Sequence, residues 1–164
     1  MRKRIRLVFS GSGGQGVITA AIILAEAAVM HENMNATQSQ SYGAAARGGA
    51  TRSDIILSHD EIDFPEVTQP NILECLTQED YTSFSPIIRP GGLLLVDSKF
   101  VSIEKKVDAK HISLAMYETV MEKIGKPIVF NICMLGVLIG ATGLVQAQSI
   151  LKVLETSIPK DFMD

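Results

Sequence analysis

Cysteine is scarce in this sequence: only Cys75 and Cys133 are present, and the two lie in separate apolar segments. No C-x-x-C pair exists, so the chain by itself cannot hold an iron–sulfur cluster, and two isolated thiols do not indicate a disulfide framework. We interpret both as buried thiols, since free cysteine packs as a small hydrophobic side chain. Histidine is equally sparse, and His31, His59 and His111 lie too far apart to predict a metal site.

A catalytic constellation is also missing. The sequence contains no Ser/His/Asp order and no Cys/His pair that would indicate an activated nucleophile. Asp54, Asp60, Glu61 and Asp63 cluster around a polar connector, and such a run of charge is typical of a solvated face. The formal net charge of -3 gives no reason to expect a nucleic-acid partner. The residues therefore favour binding and assembly over catalysis, and no catalytic residue is predicted.

Only one stretch is apolar enough to raise the question of a membrane. Residues 128–145 form 18 positions without a charge, which is near the length of a spanning helix. Asn131, Thr142 and three glycines interrupt the run and no aromatic belt flanks it, so a buried helix is the better interpretation. The basic start of the chain lacks the apolar region and cleavage site of a signal peptide. We therefore expect a cytoplasmic protein with no membrane span.

A glycine-rich turn connects the first two predicted elements. Residues 5–9 are apolar and branched, as in a buried strand, and 17–28 have the apolar spacing of a helix. Between them Gly11, Gly13 and Gly16 fit the pattern G-x-G-x-x-G. The N–H groups at such a helix start favour an anion, usually phosphate. Glycine also allows positive φ and close approach, and we expect Gly13 and Gly16 to be sterically required.

The turn alone does not specify a ligand. An ordinary dinucleotide site also needs an acidic residue at the end of the second strand, and the candidate strand at 35–39 has none. A P-loop needs a lysine followed by serine or threonine, and this turn contains no lysine. A tight strand-to-helix turn with no ligand remains an alternative, because glycine there also has a purely steric use.

Strands alternate with helices along the chain, which predicts an α/β fold: a Rossmann-like three-layer sandwich around a mostly parallel, mixed sheet. Ligands of such sheets bind at the carboxyl ends of the strands, where the glycine turn and a loop across an exposed edge at 39–49 would meet. The predicted strands are 4–9, 34–38, 50–58, 71–75, 93–97 and 111–114, and the predicted helices are 15–31, 77–85, 115–124, 128–145 and 146–157.

A second small, polar stretch identifies a family. Residues 39–54 contain Ser-Tyr-Gly and then Arg-Gly-Gly, with two arginines, Arg47 and Arg52. Together with the glycine turn, Pro-Asn-Ile-Leu at 70–73 and Gly-Gly-Leu-Leu-Leu-Val-Asp at 91–97, this stretch resembles the gamma subunit of 2-oxoacid:ferredoxin oxidoreductases. The motifs follow the family order over nearly the whole chain, which implies a single gamma-type domain over 1–164. The length is most similar to the separate gamma subunit of a 2-oxoglutarate enzyme.

The resemblance also implies a reaction, the oxidative decarboxylation of a 2-oxoacid, such as 2-oxoglutarate, to an acyl-CoA with reduction of ferredoxin. Thiamine diphosphate, Mg2+ and [4Fe–4S] clusters then belong to the partner subunits, which are alpha, beta and a ferredoxin-like delta, and this chain binds no cofactor alone. Coenzyme A is possible at a site shared with the partners. We call this shared site the mouth of the active site. The residues that the motif match assigns to it are Gly11, Gly13, Gly14, Gln15, Gly16, Tyr42 and Arg47.

Two other functions remain open. One is a stand-alone nucleotide-binding module that uses the glycine turn as a sensor. The other is a purely structural subunit whose turn is empty.

Overall fold

The computed structural model describes residues 4–42, 50–104 and 106–157, and the six strands within these ranges form one mixed sheet. The strands are β1 (Ile5–Ser12), β2 (Asn35–Tyr42), β3 (Ala50–Ser58), β4 (Ile72–Cys75), β5 (Gly92–Asp97) and β6 (Ala109–Leu114). They lie in the order β2-β3-β1-β4-β5-β6. Neighbours from β1 to β6 pair in parallel, whereas β3 is antiparallel to both β1 and β2. The predicted mixed, mostly parallel sheet is confirmed.

Helices cover the two faces of this sheet unequally. In the described part of the chain they are α1 (Val17–His31), α2 (Gln78–Phe84), α3 (Met116–Lys123), α4 (Phe130–Thr142) and α5 (Ala147–Ser157). Short 3-10 turns at Ser85–Ile87 and Pro127–Val129 follow α2 and precede α4. Residues of α1, α3, α4 and α5 form the core on one face, while α2 and irregular chain cover the other. This is the predicted layered α/β arrangement.

Side chains of β1 alternate between the two layers of the core. Leu7 and Phe9 belong to the layer that contains α1 and α4, whereas Val8 belongs to the layer that contains α2, and all three are 0% exposed. A strand that is covered on both faces has no polar side, which is why β1 is a continuous apolar run in the sequence. Each such side chain stabilises the fold by roughly 1.5–3 kcal/mol, so β1 anchors both layers.

Two predicted helices differ from the structure by more than one residue at an end. α1 begins at Val17 and not at residue 15, because Gly16 has a left-handed conformation (φ 75°) that belongs to the turn. The single helix predicted over 128–145 is a 3-10 turn followed by α4, which ends where Gly143 has φ 63°. No helix in the described part of the chain has the length and apolar character needed to cross a membrane.

The second strand is longer than predicted. β2 continues to Tyr42, so residues 39–42 are strand and not the start of an edge loop. Ser39 pairs with Asp54 and Ser41 with Arg52, in register with the rest of the β2–β3 ladder. This part of β2 consists of serine, glutamine and tyrosine, and without apolar residues at every second position the period of a strand is not visible in the sequence.

Candidate functional site

Gln15 forms three hydrogen bonds that stabilise the turn between β1 and α1. Its backbone N–H donates to the carbonyl oxygen of Ser12 (3.2 Å), and its Oε1 accepts from the N–H of Ser12 (2.7 Å). Its Nε2 donates to the carbonyl oxygen of Leu76 (3.4 Å), which follows β4. Gln15, predicted to bind a cofactor, therefore shapes the turn and ties it to the neighbouring strand.

The glycines of the turn differ in what they do. A Cβ on Gly11 would lie 2.6 Å from Gln15 Oε1, and a Cβ on Gly16, at φ 75°, would lie 2.6 Å from Asn131 Nδ2. Gly14 has φ 90° and open space around it. A Cβ on Gly13 would meet no heavy atom within 4 Å, and the φ of Gly13 is not positive, so the expectation that Gly13 is sterically required is wrong. Gly11 and Gly16 thus preserve the packing of the turn, while Gly13 and Gly14 form its exposed surface.

Asn131 is the residue of this site that the sequence interpretation missed. Its side chain is 7% exposed at the start of α4, and its Nδ2 donates to the carbonyl oxygen of Gly16 (3.3 Å) across a sequence separation of 115 residues. The only signal was an amide inside a run of 18 residues without a charge. A buried amide in such a run needs a hydrogen-bond partner, and here that partner is the glycine turn.

The start of α1 presents backbone donors to the outside of the turn. Gly16 is the N-cap and has no side-chain cap, and the first turn of the helix contains no acidic residue. The first N–H groups of a helix have no acceptor within the helix, and the helix dipole adds partial positive charge at this end. Together with exposed Gly13 and Gly14, this geometry suits an anionic group.

A cavity of about 610 Å³ opens beside the turn. Gly14, Gly16 and Thr19 form its end at the turn, and its remaining walls are mainly apolar. A ligand with an anionic end and a less polar body matches such a cavity, since small-molecule sites combine apolar walls with a few polar groups. The residues of the remaining walls are Ile22, Ile23, Glu26, Ile128, Val129, Asn131, Ile132 and Ser157.

The carboxyl ends of β1 and β2 meet at the same edge of the sheet. Gly11 of β1 is the register partner of Thr51, and Thr51 is the partner of Tyr42 at the end of β2. The end of β2 and the start of β3 therefore lie beside the glycine turn. Arg47 lies outside the described residues, as does the side chain of Tyr42, so their predicted roles stay predictions.

The order of the strands does not suit an ordinary dinucleotide site. In a dinucleotide-binding fold the second parallel strand lies beside the first and supplies the acidic residue that binds the ribose. Here the antiparallel β3 occupies that position, and β2 is one strand further away and contains no Asp or Glu. The stand-alone nucleotide-binding module is therefore not favoured.

Arg52, the second arginine of the polar stretch, has a structural role. Its guanidinium forms two hydrogen bonds with Asp54 (2.6 and 3.0 Å), donates to the carbonyl oxygen of Val67 (2.9 Å) and lies over the ring of Phe84 (5.2 Å). Asp54, predicted to be part of a solvated face, is instead half-buried in this ion pair. The other three predicted members of the solvated face, Asp60, Glu61 and Asp63, are exposed.

Two titratable side chains near the end of β4, Glu74 and Cys75, are fully buried. Glu74 is 0% exposed and its carboxyl oxygens have no hydrogen-bond partner among the described residues, and burial raises its pKa well above the usual range. Burial likewise raises the pKa of the Cys75 thiol to about 12. Cys75 is buried as predicted, whereas Cys133 is only half-buried. Among the residues that the structure describes, no group of three or more His, Cys, Asp or Glu side chains is placed to hold a metal ion.

Comparison with known proteins gives consistent matches over nearly the whole chain. The family model described as pyruvate ferredoxin/flavodoxin oxidoreductase matches residues 6–164. The chain is 45% identical over 162 residues to the 2-oxoglutarate synthase subunit KorC of Methanocaldococcus jannaschii, which covers 98% of this chain and 86% of the relative. The crystal structure of the gamma subunit of a keto/oxoacid ferredoxin oxidoreductase from Geobacter sulfurreducens matches with a TM-score of 0.88 at 38% identity, over 98% of this chain and 88% of that chain.

A further solved structure shares the fold at lower identity. It is a 2-oxoglutarate:ferredoxin oxidoreductase from Magnetococcus marinus with 2-oxoglutarate, coenzyme A and succinyl-CoA bound. The match has a TM-score of 0.85 at 19% identity and covers 95% of this chain but 27% of that chain. At this identity the match supports the fold alone.

Proposed function

The chain belongs to the pyruvate ferredoxin/flavodoxin oxidoreductase family, and on this basis we propose that it is the gamma subunit of a thiamine-diphosphate-dependent 2-oxoglutarate:ferredoxin oxidoreductase. The complex converts the 2-oxoacid to its acyl-CoA by oxidative decarboxylation and reduces ferredoxin. The observation that carries the proposal is the near-full-length identity with a 2-oxoglutarate synthase subunit. The whole of 1–164 forms one gamma-type domain in this proposal.

The redox chemistry belongs to other subunits of the complex. We assign thiamine diphosphate, Mg2+ and the [4Fe–4S] clusters to alpha, beta and a ferredoxin-like delta subunit, and ferredoxin is the electron acceptor. Supporting this division, Cys75 has a strongly raised pKa, and cluster ligands must be thiolates. The chain contributes binding surface at the mouth of the active site and has no turnover of its own.

Coenzyme A, the acyl acceptor of the reaction, fits what the glycine turn presents. The uncapped start of α1 and the exposed backbone of Gly13 and Gly14 suit an anionic group, and the cavity beside them offers apolar walls for the rest of the molecule. We assign Gly13, Gly14, Tyr42 and Arg47 to contacts at this shared mouth. The packing residues Gly11, Gln15 and Gly16 hold the turn in the shape that those contacts need.

Reconstitution of the complex with and without this chain tests the proposal. We expect reduction of ferredoxin or a viologen dye that depends on 2-oxoglutarate and coenzyme A when the chain is present with its thiamine-diphosphate and ferredoxin-like partners. Pyruvate and 2-oxoisovalerate are the substrate controls and should be turned over more slowly. Full turnover in a complex that lacks the chain, or dye reduction by the chain alone, would overturn the assignment.

Substitution of Arg47 tests the proposed contact with coenzyme A or a partner subunit at the mouth of the active site. In the assembled complex, Arg47→Ala should raise the KM for coenzyme A by about tenfold, which corresponds to one charge-assisted hydrogen bond, or should loosen assembly. Arg47→Lys should recover only part of the loss, because lysine lacks the planar pair of donors. Lys152→Ala removes a cation from the exposed side of α5 and is the control. Normal assembly with the parental dependence on coenzyme A would show that Arg47 has no role at the mouth.

A further inference from the structure

A second cavity, of about 930 Å³, lies at the edge of the sheet opposite the glycine turn. It forms where β1, β4 and β5 begin and where β3 ends, and α4 closes one side of it. Its size is typical of small-molecule sites, which have volumes of about 300–1,000 Å³. Apolar residues form part of its wall, namely Ile5, Ile72, Leu93, Ala141 and Leu144.

Positive charge is concentrated in this cavity. Arg4, Arg6, Arg89 and Lys110 line it, against a single carboxylate, Asp60. The four cations come from three separate parts of the sheet, which are the start of β1, the turn before β5, and β6. The formal net charge of the chain is -3, so its average composition does not account for such a concentration.

These cations are not neutralised by neighbouring side chains. Among the residues that the structure describes, no carboxylate lies within ion-pair distance of any of them. Arg4 donates to the carbonyl oxygen of Glu61 (2.9 Å), and within the same described ranges the side chains of Arg6, Arg89 and Lys110 have no hydrogen-bond partner. Like charges that share a concave site repel one another, and a bound anion offsets this repulsion because each cation attracts it.

The backbone holds these positions without the help of a ligand. The N–H of Arg6 donates to Asn71 Oδ1 (2.9 Å), and the N–H of Arg89 donates to the carbonyl oxygen of Pro70 (2.9 Å). Lys110 is fixed in the β5–β6 ladder opposite Leu93. Because the positions are set by the sheet, little backbone ordering opposes binding, which favours affinity.

We propose that this cavity binds a small organic molecule that carries two or more phosphate or carboxylate groups close together. Guanidinium groups bind such groups through two parallel hydrogen bonds, and lysine adds a compact charge. The apolar part of the wall accommodates the uncharged body of the ligand. The site is separate from the glycine turn, and the proposal does not depend on the proposed function.

Calorimetric titration of the full chain with tripolyphosphate, ATP and citrate at constant ionic strength tests the proposal. We expect the polyanions to bind and adenosine, which lacks the charges, not to bind. ATP and tripolyphosphate distinguish a nucleotide from a free polyphosphate, and citrate tests carboxylates. Arg89→Gln and Lys110→Gln should each weaken binding about tenfold, the value of one charge-assisted hydrogen bond. Lys152→Gln removes the same charge from α5 and should leave the affinity unchanged.

Two results would overturn the proposal. One is the absence of binding by every probe. If, in addition, Arg89→Gln and Lys110→Gln impair assembly with partner subunits, the surface binds an acidic protein segment and not a small molecule. The other is binding that both cavity variants leave at parental affinity, because the anion would then lie elsewhere, for example at the glycine turn. Both substituted side chains are exposed, and parental unfolding midpoints would show that the variants are folded.

Discussion

Alanine substitutions in the glycine turn separate backbone strain from steric overlap. Gly13, Gly14 and Gly16 lie within four residues, yet each combines these two costs differently. Gly13 has neither positive φ nor a close neighbour, Gly14 has φ 90° in open space, and Gly16 has φ 75° with Asn131 against it. Gly13→Ala is therefore the reference, Gly14→Ala measures backbone strain alone, and the difference between Gly16→Ala and Gly14→Ala measures the steric overlap.

The structure sets the expected order of the three effects. Gly13→Ala should change the free energy of unfolding by less than about 0.5 kcal/mol, as at an unconstrained surface position. Gly14→Ala should cost about 1–2 kcal/mol, the strain of a left-handed residue with a Cβ. Gly16→Ala carries the same strain and places its Cβ 2.6 Å from Asn131 Nδ2. Overpacking of this kind adds about 1–3 kcal/mol, which is a large part of the roughly 5–15 kcal/mol that holds a typical domain together.

Urea unfolding with linear extrapolation measures the three free energies. A double variant, Gly16→Ala with Asn131→Ala, supplies the internal check, because it removes the atoms at 2.6 and 2.8 Å and leaves Asn131 Cβ at 2.9 Å. Part of the cost of Gly16→Ala should therefore disappear in the Asn131→Ala background. Equal losses at Gly13 and Gly16, or strictly additive effects in the double variant, would refute the reasoning.

Three further predictions concern titratable groups. Burial raises the pKa of Glu74 well above its usual 4.5, so the stability that depends on its protonated form is complete below that pH and is lost as the pH rises. Glu74→Gln should therefore flatten the fall of the unfolding free energy above pH 4.5, and an unchanged slope would contradict it. Burial raises the pKa of both the Cys133 thiol and the Cys75 thiol, the latter to about 12. Because Cys133 is only half-buried, a thiol reagent at about pH 8 should modify it before Cys75, and Cys133→Ser should remove the faster phase. Equal rates would count against this. Glu32 accepts from Ser149 Oγ (2.6 Å) and from the backbone N–H of Gln146 (2.8 Å) at the start of α5, and these two hydrogen bonds lower its pKa. Glu32→Ala should therefore remove a cap of about 1 kcal/mol at neutral pH but not in acid, where the parental carboxylate is protonated. A loss that is the same at both pH values would exclude the cap.

Much of the fold was predictable because it depends on local patterns. Apolar runs such as 5–9 and 93–97 are typical of strands covered on both faces, and the structure has strands there. The polar half of β2 was missed because its residues lack an apolar face. The position of β3 between β1 and β2 is a matter of pairing between distant segments, and no local period encodes it.

The site was predictable in outline and not in its internal contacts. The pattern of glycines located the turn, but the pattern treats Gly13 and Gly16 alike, while only Gly16 faces another side chain. That side chain, Asn131, is 115 residues away. The ion pair that fixes Arg52 was likewise hidden, because two charges at alternate positions of a polar stretch are also typical of an exposed strand.

The central position of β1 has a consequence for the synthesis of the protein. β1 is translated before both of its neighbours in the sheet, β3 and β4, and Leu7 pairs with Ile55 on one side and Ile72 on the other. At roughly 5–20 residues per second, several seconds pass before both neighbours exist. Until then Leu7, Val8 and Phe9, which the finished protein buries completely, lack the strands that flank them in the sheet. Leu7 and Phe9 also lie in the layer that contains α4, so their burial is complete only after residues 130–142 have been translated.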